Sequence, residues 1–176
     1  MCIRDRGYSA LASALGVTAY AVGNAVAAPL AGRVVDRLGR VLVVGAALTF
    51  GAGAVGLALV ARSVPTAHAT LAMAGPLFVM GLGAGGLITP NQALTLMDVD
   101  PVVGSTAGGV LQTAQRIGLA VGQAVIGAVF FASIDGPGPE SYARALVAAV
   151  LVALCFVTAS VAVGVRDLMR GRQARR

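Results

Sequence analysis

Ser105, Gln112, Arg116 and Gln123 are spaced so that a single helix would bring them onto one face. At about 100° per residue they fall within about 40° of one another, with Gln115 to one side. A guanidinium with amides beside it supplies a cation and hydrogen-bond donors that could line a cavity. Ala114, Gly118 and Gly122 cluster on a different face that is small and flat. The small face predicts packing on a neighbour, and the polar face predicts a water-filled or substrate-filled cavity.

The cost of Arg116 sharpens the question. No other charge lies between Gly104 and Phe131. An arginine at the centre of a membrane helix costs about 2.5 kcal/mol or more. Arg116 stands about 18 Å into such a helix at about 1.5 Å per residue, far from either end. Two readings stay open: a cavity-lining cation with Gln112, Gln115 and Gln123 beside it, or polar glue between helices. Asn91, within Pro90-Asn91-Gln92, and Asn24, one turn after Tyr20, are further candidates for cavity lining. For these two, helix packing fits equally well.

The elements that would carry these residues follow from the gaps between charges. Gly7 to Gly32 and Val41 to Ala61 contain no Asp, Glu, Lys or Arg. A helix of about 20 apolar residues crosses the hydrocarbon core. Between those runs lies the compact hairpin Asp36-Arg37-Leu38-Gly39-Arg40. Val64-Pro65-Thr66-Ala67-His68, Asp98-Val99-Asp100-Pro101 and Asp135-Gly136-Pro137-Gly138-Pro139-Glu140 read as loops, because Pro and Gly punctuate helices. The expectation is an all-α polytopic membrane bundle with spans at about 8–32, 41–61, 68–94, 104–132 and 144–165, within a bundle covering 7–167. Such long, evenly apolar runs exclude barrel strands, which are shorter and alternate. Gly81-x-x-x-Gly85, Gly104-x-x-x-Gly108 and Gly118-x-x-x-Gly122 together predict close helix packing.

Orientation follows from arginine counting. Arg33, Arg37 and Arg40 share one side with Arg166, Arg170, Arg172, Arg175 and Arg176, against Arg62 and Arg144 on the other. The hairpin and a basic tail at 168–176 are therefore expected in the cytoplasm, with the chain in the cell membrane. Composition agrees: 57% of residues are hydrophobic and 11% charged, against about 25% charged in soluble domains. The mean hydropathy is +0.86.

Several function classes are excluded. The net charge of +6 comes from arginines concentrated at the chain's end, and no basic, aromatic-interleaved surface offers itself to nucleic acid. A lipid bilayer is the partner such a juxtamembrane cluster fits. Cys2 and Cys155 lie too far apart for a motif, and no metal or cofactor is expected. Gly81-Leu82-Gly83-Ala84-Gly85-Gly86 satisfies G-x-G-x-x-G, with Asp100 following at dinucleotide-site spacing. No strand–helix–strand alternation surrounds it, so the nucleotide reading fails. No Ser/His/Asp or Cys/His constellation supports an enzyme. All seven acids lie outside the expected spans, so a proton-coupling carboxylate is not expected on this chain. Met1-Cys2-Ile3-Arg4-Asp5-Arg6 reads as a non-native leader of the kind left by a sequencing adaptor, and on that reading the chain would be a truncated product; a true short protein is the alternative.

Gly32-x-x-x-Asp36-Arg37-x-Gly39-Arg40 resembles the loop motif of the major facilitator superfamily. Gly81-x-Gly83-x-Gly85 through Pro90, followed by Gly104-x-x-x-Gly108-Gly109-Val110-Leu111-Gln112-Thr113-x-Gln115-Arg116-x-Gly118, resembles the final helices of its fourteen-span drug:proton antiporter branch (EmrB/QacA-like). Val41 departs from the pattern, where the family often places a second basic residue. The resemblance implies the last five helices of a C-terminal half. It further implies proton-driven efflux of hydrophobic or cationic small molecules by alternating access. Gly32, Asp36, Arg37, Gly39 and Arg40 would then form a conformational loop motif with a cytoplasmic charge network. The alternative class is a membrane-embedded structural or partner subunit that does not transport.

Overall fold

The computed structural model describes residues 10–63, 66–97 and 99–173. The leader at 1–6 with Cys2, the Val64–Pro65 junction, Asp98 and the final Arg175 and Arg176 lie outside the described residues. Among the described residues there are five α-helices and no strand: α1 (Ala10–Leu38), α2 (Arg40–Ser63), α3 (Thr66–Leu96), α4 (Gly104–Ala132) and α5 (Pro139–Gln173). A 3-10 turn at Pro101–Val103 precedes α4, and the Asp100 carboxylate caps it by accepting from the Val102 N–H at 2.9 Å. The expected all-α membrane bundle is what the chain forms. Arg40–Ser63, Leu71–Leu96, Pro101–Ala132 and Glu140–Met169 are long and apolar enough to cross a membrane.

Two boundaries differ from the sequence expectation. Thr66, Ala67 and His68 belong to α3 and not to a loop. A helix tolerates Pro beside its first turn, where the missing N–H has no partner to lose. α5 runs well past Arg166 to Gln173, so the first residues of the expected tail continue the helix.

α3 is the centre of the bundle, packed by α1 on one side and α2 on the other; α5 lies on α2, and α4 leans chiefly on α5. The glycine-rich stretch makes this possible. Along α3, Gly81 and Gly85 point to one face and Gly83 and Gly86 to the opposite one. A Cβ at Gly81 would strike the Tyr20 carbonyl oxygen of α1, and one at Gly85 would come within 2.5 Å of the Asn24 carbonyl oxygen. On the other face, a Cβ at Gly83 would meet the Phe50 backbone of α2, and one at Gly86 would lie 3.1 Å from Ala46 Cβ. The G-x-G-x-x-G stretch is thus a two-sided packing surface inside an unbroken helix, which removes the dinucleotide reading structurally. The core holds small side chains, with Ala31, Ala47, Ala54, Ala84, Ala145 and Ala149 buried and Pro90 fully enclosed.

Five hydroxyls within the helices are satisfied by their own helix. The hydroxyls of Thr49, Thr95, Thr113, Thr158 and Ser160 donate to carbonyl oxygens four residues back, at 2.7–2.9 Å. That is how a hydroxyl is accommodated where no water is at hand.

One expectation fails. Gly104, Gly108, Gly118 and Gly122 do not pack closely on any described residue, since a Cβ at each would meet nothing within 4 Å. α4 touches α3 at few places, so its small face lies open within this chain.

Candidate functional site

α4 presents the polar stripe as spaced in the sequence. Ser105, Gln112, Arg116 and Gln123 are all exposed, as is most of α4 within this chain. Arg116 forms no ion pair among the described residues; the pairs found there are Arg40–Asp167 and Arg144–Asp135. An unpaired guanidinium halfway along an apolar helix has its full hydrogen-bonding capacity free for a solute or a partner group. Gln115 behaves differently. It is half-buried and its Oε1 accepts a hydrogen bond from Gln92 Nε2 at 3.1 Å, linking α4 to the end of α3. Within Pro90-Asn91-Gln92 it is Gln92, and not Asn91, that reaches the polar residues of α4.

The two asparagines do not join the stripe. Asn24 lies in the α1–α3 seam, its carbonyl oxygen against Gly85 and its N–H beside Gly81. Asn91 is exposed on the side of α3 away from α4, where it lines a cleft of about 490 Å³ between α2, α3 and α5 with Arg40, Thr95, Ser160 and Asp167.

The hairpin motif has a clear local cause. Gly39 adopts a left-handed φ of +49°, which a side chain would strain. Its N–H donates to the Val35 carbonyl at 2.7 Å, ending α1 in the manner of a glycine C-cap. This turn lets α2 begin at Arg40 with no intervening loop. The Arg40 guanidinium pairs with the Asp167 carboxylate near the end of α5. Asp36 and Arg37 stay exposed and make no ion pair among the described residues, though with Arg40 and Asp167 they line a second cleft of about 510 Å³. The charge contact at this end therefore runs from the hairpin to α5 and not within Asp36-Arg37-Arg40. Asp167 was not foreseen, because it lies in another helix far along the chain. Gly32 is exposed and loosely packed, 3.8 Å from Thr89 Cγ2 at an added Cβ. No group of three or more His, Cys, Asp or Glu side chains suited to a metal occurs among the described residues.

Within the described residues, apolar helices surround a glycine-lined central span, with a glycine-turned basic hairpin at one end and one polar stripe on α4. Residues 2–175 match the Major Facilitator Superfamily, and the chain belongs to that family. It is therefore a multi-pass membrane protein. It is similar to a probable actinorhodin transporter of Streptomyces coelicolor, at 32% identity over 136 residues, covering 77% of this chain and 24% of that protein. It is also similar to the drug efflux pump JefA of Mycobacterium tuberculosis, at 34% identity over 155 residues, covering 84% of this chain and 30% of that protein. The chain thus spans less than a third of the length of either relative. No solved structure matches it.

Proposed function

We propose that this chain forms the last five helices of the C-terminal half of a fourteen-span exporter, which moves small hydrophobic or cationic molecules out of the cell at the expense of the proton gradient. The carrying observation is the stripe of Gln112, Arg116 and Gln123, exposed on α4 and free of an ion pair within the described residues. The name of one relative, a drug efflux pump, supports the direction, and that of the other supports transport. Solute would bind between two halves that rock around it. No acid lies within the apolar stretches of the helices, so the proton-carrying carboxylate belongs to another part of the transporter. The hairpin and the end of α5 face the cytoplasm of the cell membrane in this reading, because the arginines concentrate there.

The test is Arg116→Ala in the longer transporter that carries this segment. Efflux per folded molecule should fall at least tenfold while membrane insertion is kept. Insertion should improve if anything, since the substitution removes a charge costing about 2.5 kcal/mol or more. Normal efflux per molecule with lowered thermal stability would instead make Arg116 a packing residue. Sidedness is tested separately: with Cys2→Ser and Cys155→Ser, a Leu38→Cys variant should resist a membrane-impermeant thiol reagent applied to intact cells, and rapid labelling from outside would reverse the orientation.

A further inference from the structure

α4 is held unlike any other helix of the bundle. α3 is locked between α1 and α2 by backbone-to-backbone contact at its glycines. On α4, a Cβ at Gly104, Gly108, Gly109, Gly118, Gly122 or Gly127 would meet nothing within 4 Å, so α4 leans on α5 without the glycine interlocking that holds α3. One directional side-chain bond crosses from α3 to α4, from Gln92 Nε2 to Gln115 Oε1. Gln115 precedes Arg116, and neighbouring side chains on a helix diverge by about 100°. Turning Gln115 toward α3 therefore turns Arg116, and with it Gln112 and Gln123, outward.

We propose that Gln92 and Gln115 form a rotational tie that sets the azimuth of α4 and so aims the polar stripe. In apolar surroundings no water replaces a lost amide–amide bond. Gln92 stands two residues beyond Pro90, which is fully enclosed and donates no backbone hydrogen bond to the preceding turn. α3 contains two prolines, Pro76 and Pro90, each of which removes one bond from the helix ladder, and Pro90 does so two residues before Gln92. A movement there is transmitted to α4 through Gln92. Both glutamines are positioning residues. The purpose of the aim, presenting Arg116 to a solute, rests on the efflux reading; the tie itself does not.

The 176-residue chain in lipid nanodiscs tests this, with Cys2→Ser and Cys155→Ser and spin labels at Val26→Cys and Ile117→Cys. Val26 on α1 is 45% exposed and Ile117 on α4 is 60% exposed, so both accept a label. α1 is fixed to α3, and the interlabel distance distribution reads the orientation of α4. The parent should give one narrow distribution. Gln92→Leu and Gln115→Leu should each broaden it about twofold or displace its maximum, and the double variant should broaden it no further. Gln115→Glu keeps the accepting oxygen and should retain the narrow distribution. Unchanged distributions in both Leu variants overturn the tie. Equal broadening in Gln115→Glu and Gln115→Leu overturns it too, as does loss of helix content in both Leu variants, since a rotational tie leaves helix formation intact. If Gln115→Leu alone fails to insert, Gln92→Leu decides. No transport is measured, so the tie and the efflux reading fail independently.

Discussion

Gly81-x-x-x-Gly85 on α3 and Gly118-x-x-x-Gly122 on α4 have identical spacing. At the first pair, an added methyl would run into the backbone of α1 at Tyr20 and Asn24. At the second, it would meet nothing within 4 Å. The spacing makes a flat strip on a helix in both cases; what lies against the strip is a property of the assembly. The difference also separates two jobs. The α1–α3 seam is a close backbone-to-backbone contact. α4 carries the exposed cation and amides on a helix that close packing does not restrain.

Substitutions at these glycines can break the contrast. Gly81→Ala should have the largest effect, because the contact is with main chain that cannot turn aside. Overpacking of this kind costs about 1–3 kcal/mol, and the upper end is expected here. Thermal unfolding in detergent should show it directly. Gly118→Ala and Gly122→Ala should act in the opposite sense, raising stability by about 0.5–1 kcal/mol each through helix propensity alone. If they destabilise as much as Gly81→Ala does, α4 is packed and the contrast collapses. The smallest effect belongs to the hairpin contact. The Arg40 and Asp167 side chains are 54% and 41% exposed, and such pairs contribute about 0.2–1 kcal/mol. A double-mutant cycle with Arg40→Ala and Asp167→Ala should give a coupling in that range that shrinks as salt is added. A larger, salt-insensitive coupling would show a second rigid seam, between the hairpin and α5.

The polar stripe was legible because its members share one helix. Ser105, Gln112, Arg116 and Gln123 fall on one face by helical period alone, and the structure needs only to leave that face uncovered. Asn24 and Asn91 were not legible in the same way. Each sits on a different helix, and whether an amide on one helix meets a cavity or a neighbour depends on how that neighbour is rotated. The structure puts Asn24 in a seam and Asn91 in a separate cleft, apart from Arg116.

By itself the sequence determined the helices, their number and the hairpin. Long uncharged runs can satisfy their backbone polar groups only by coiling, and Gly39 supplies the left-handed turn that joins α1 to α2. The pairings were decided only by the tertiary structure: Gly81 with Tyr20, Gln92 with Gln115, Arg40 with Asp167. Each joins residues on separate helices. Periodicity fixes the direction of a side chain about its own axis but leaves free the relative placement of two axes, and packing sets that placement.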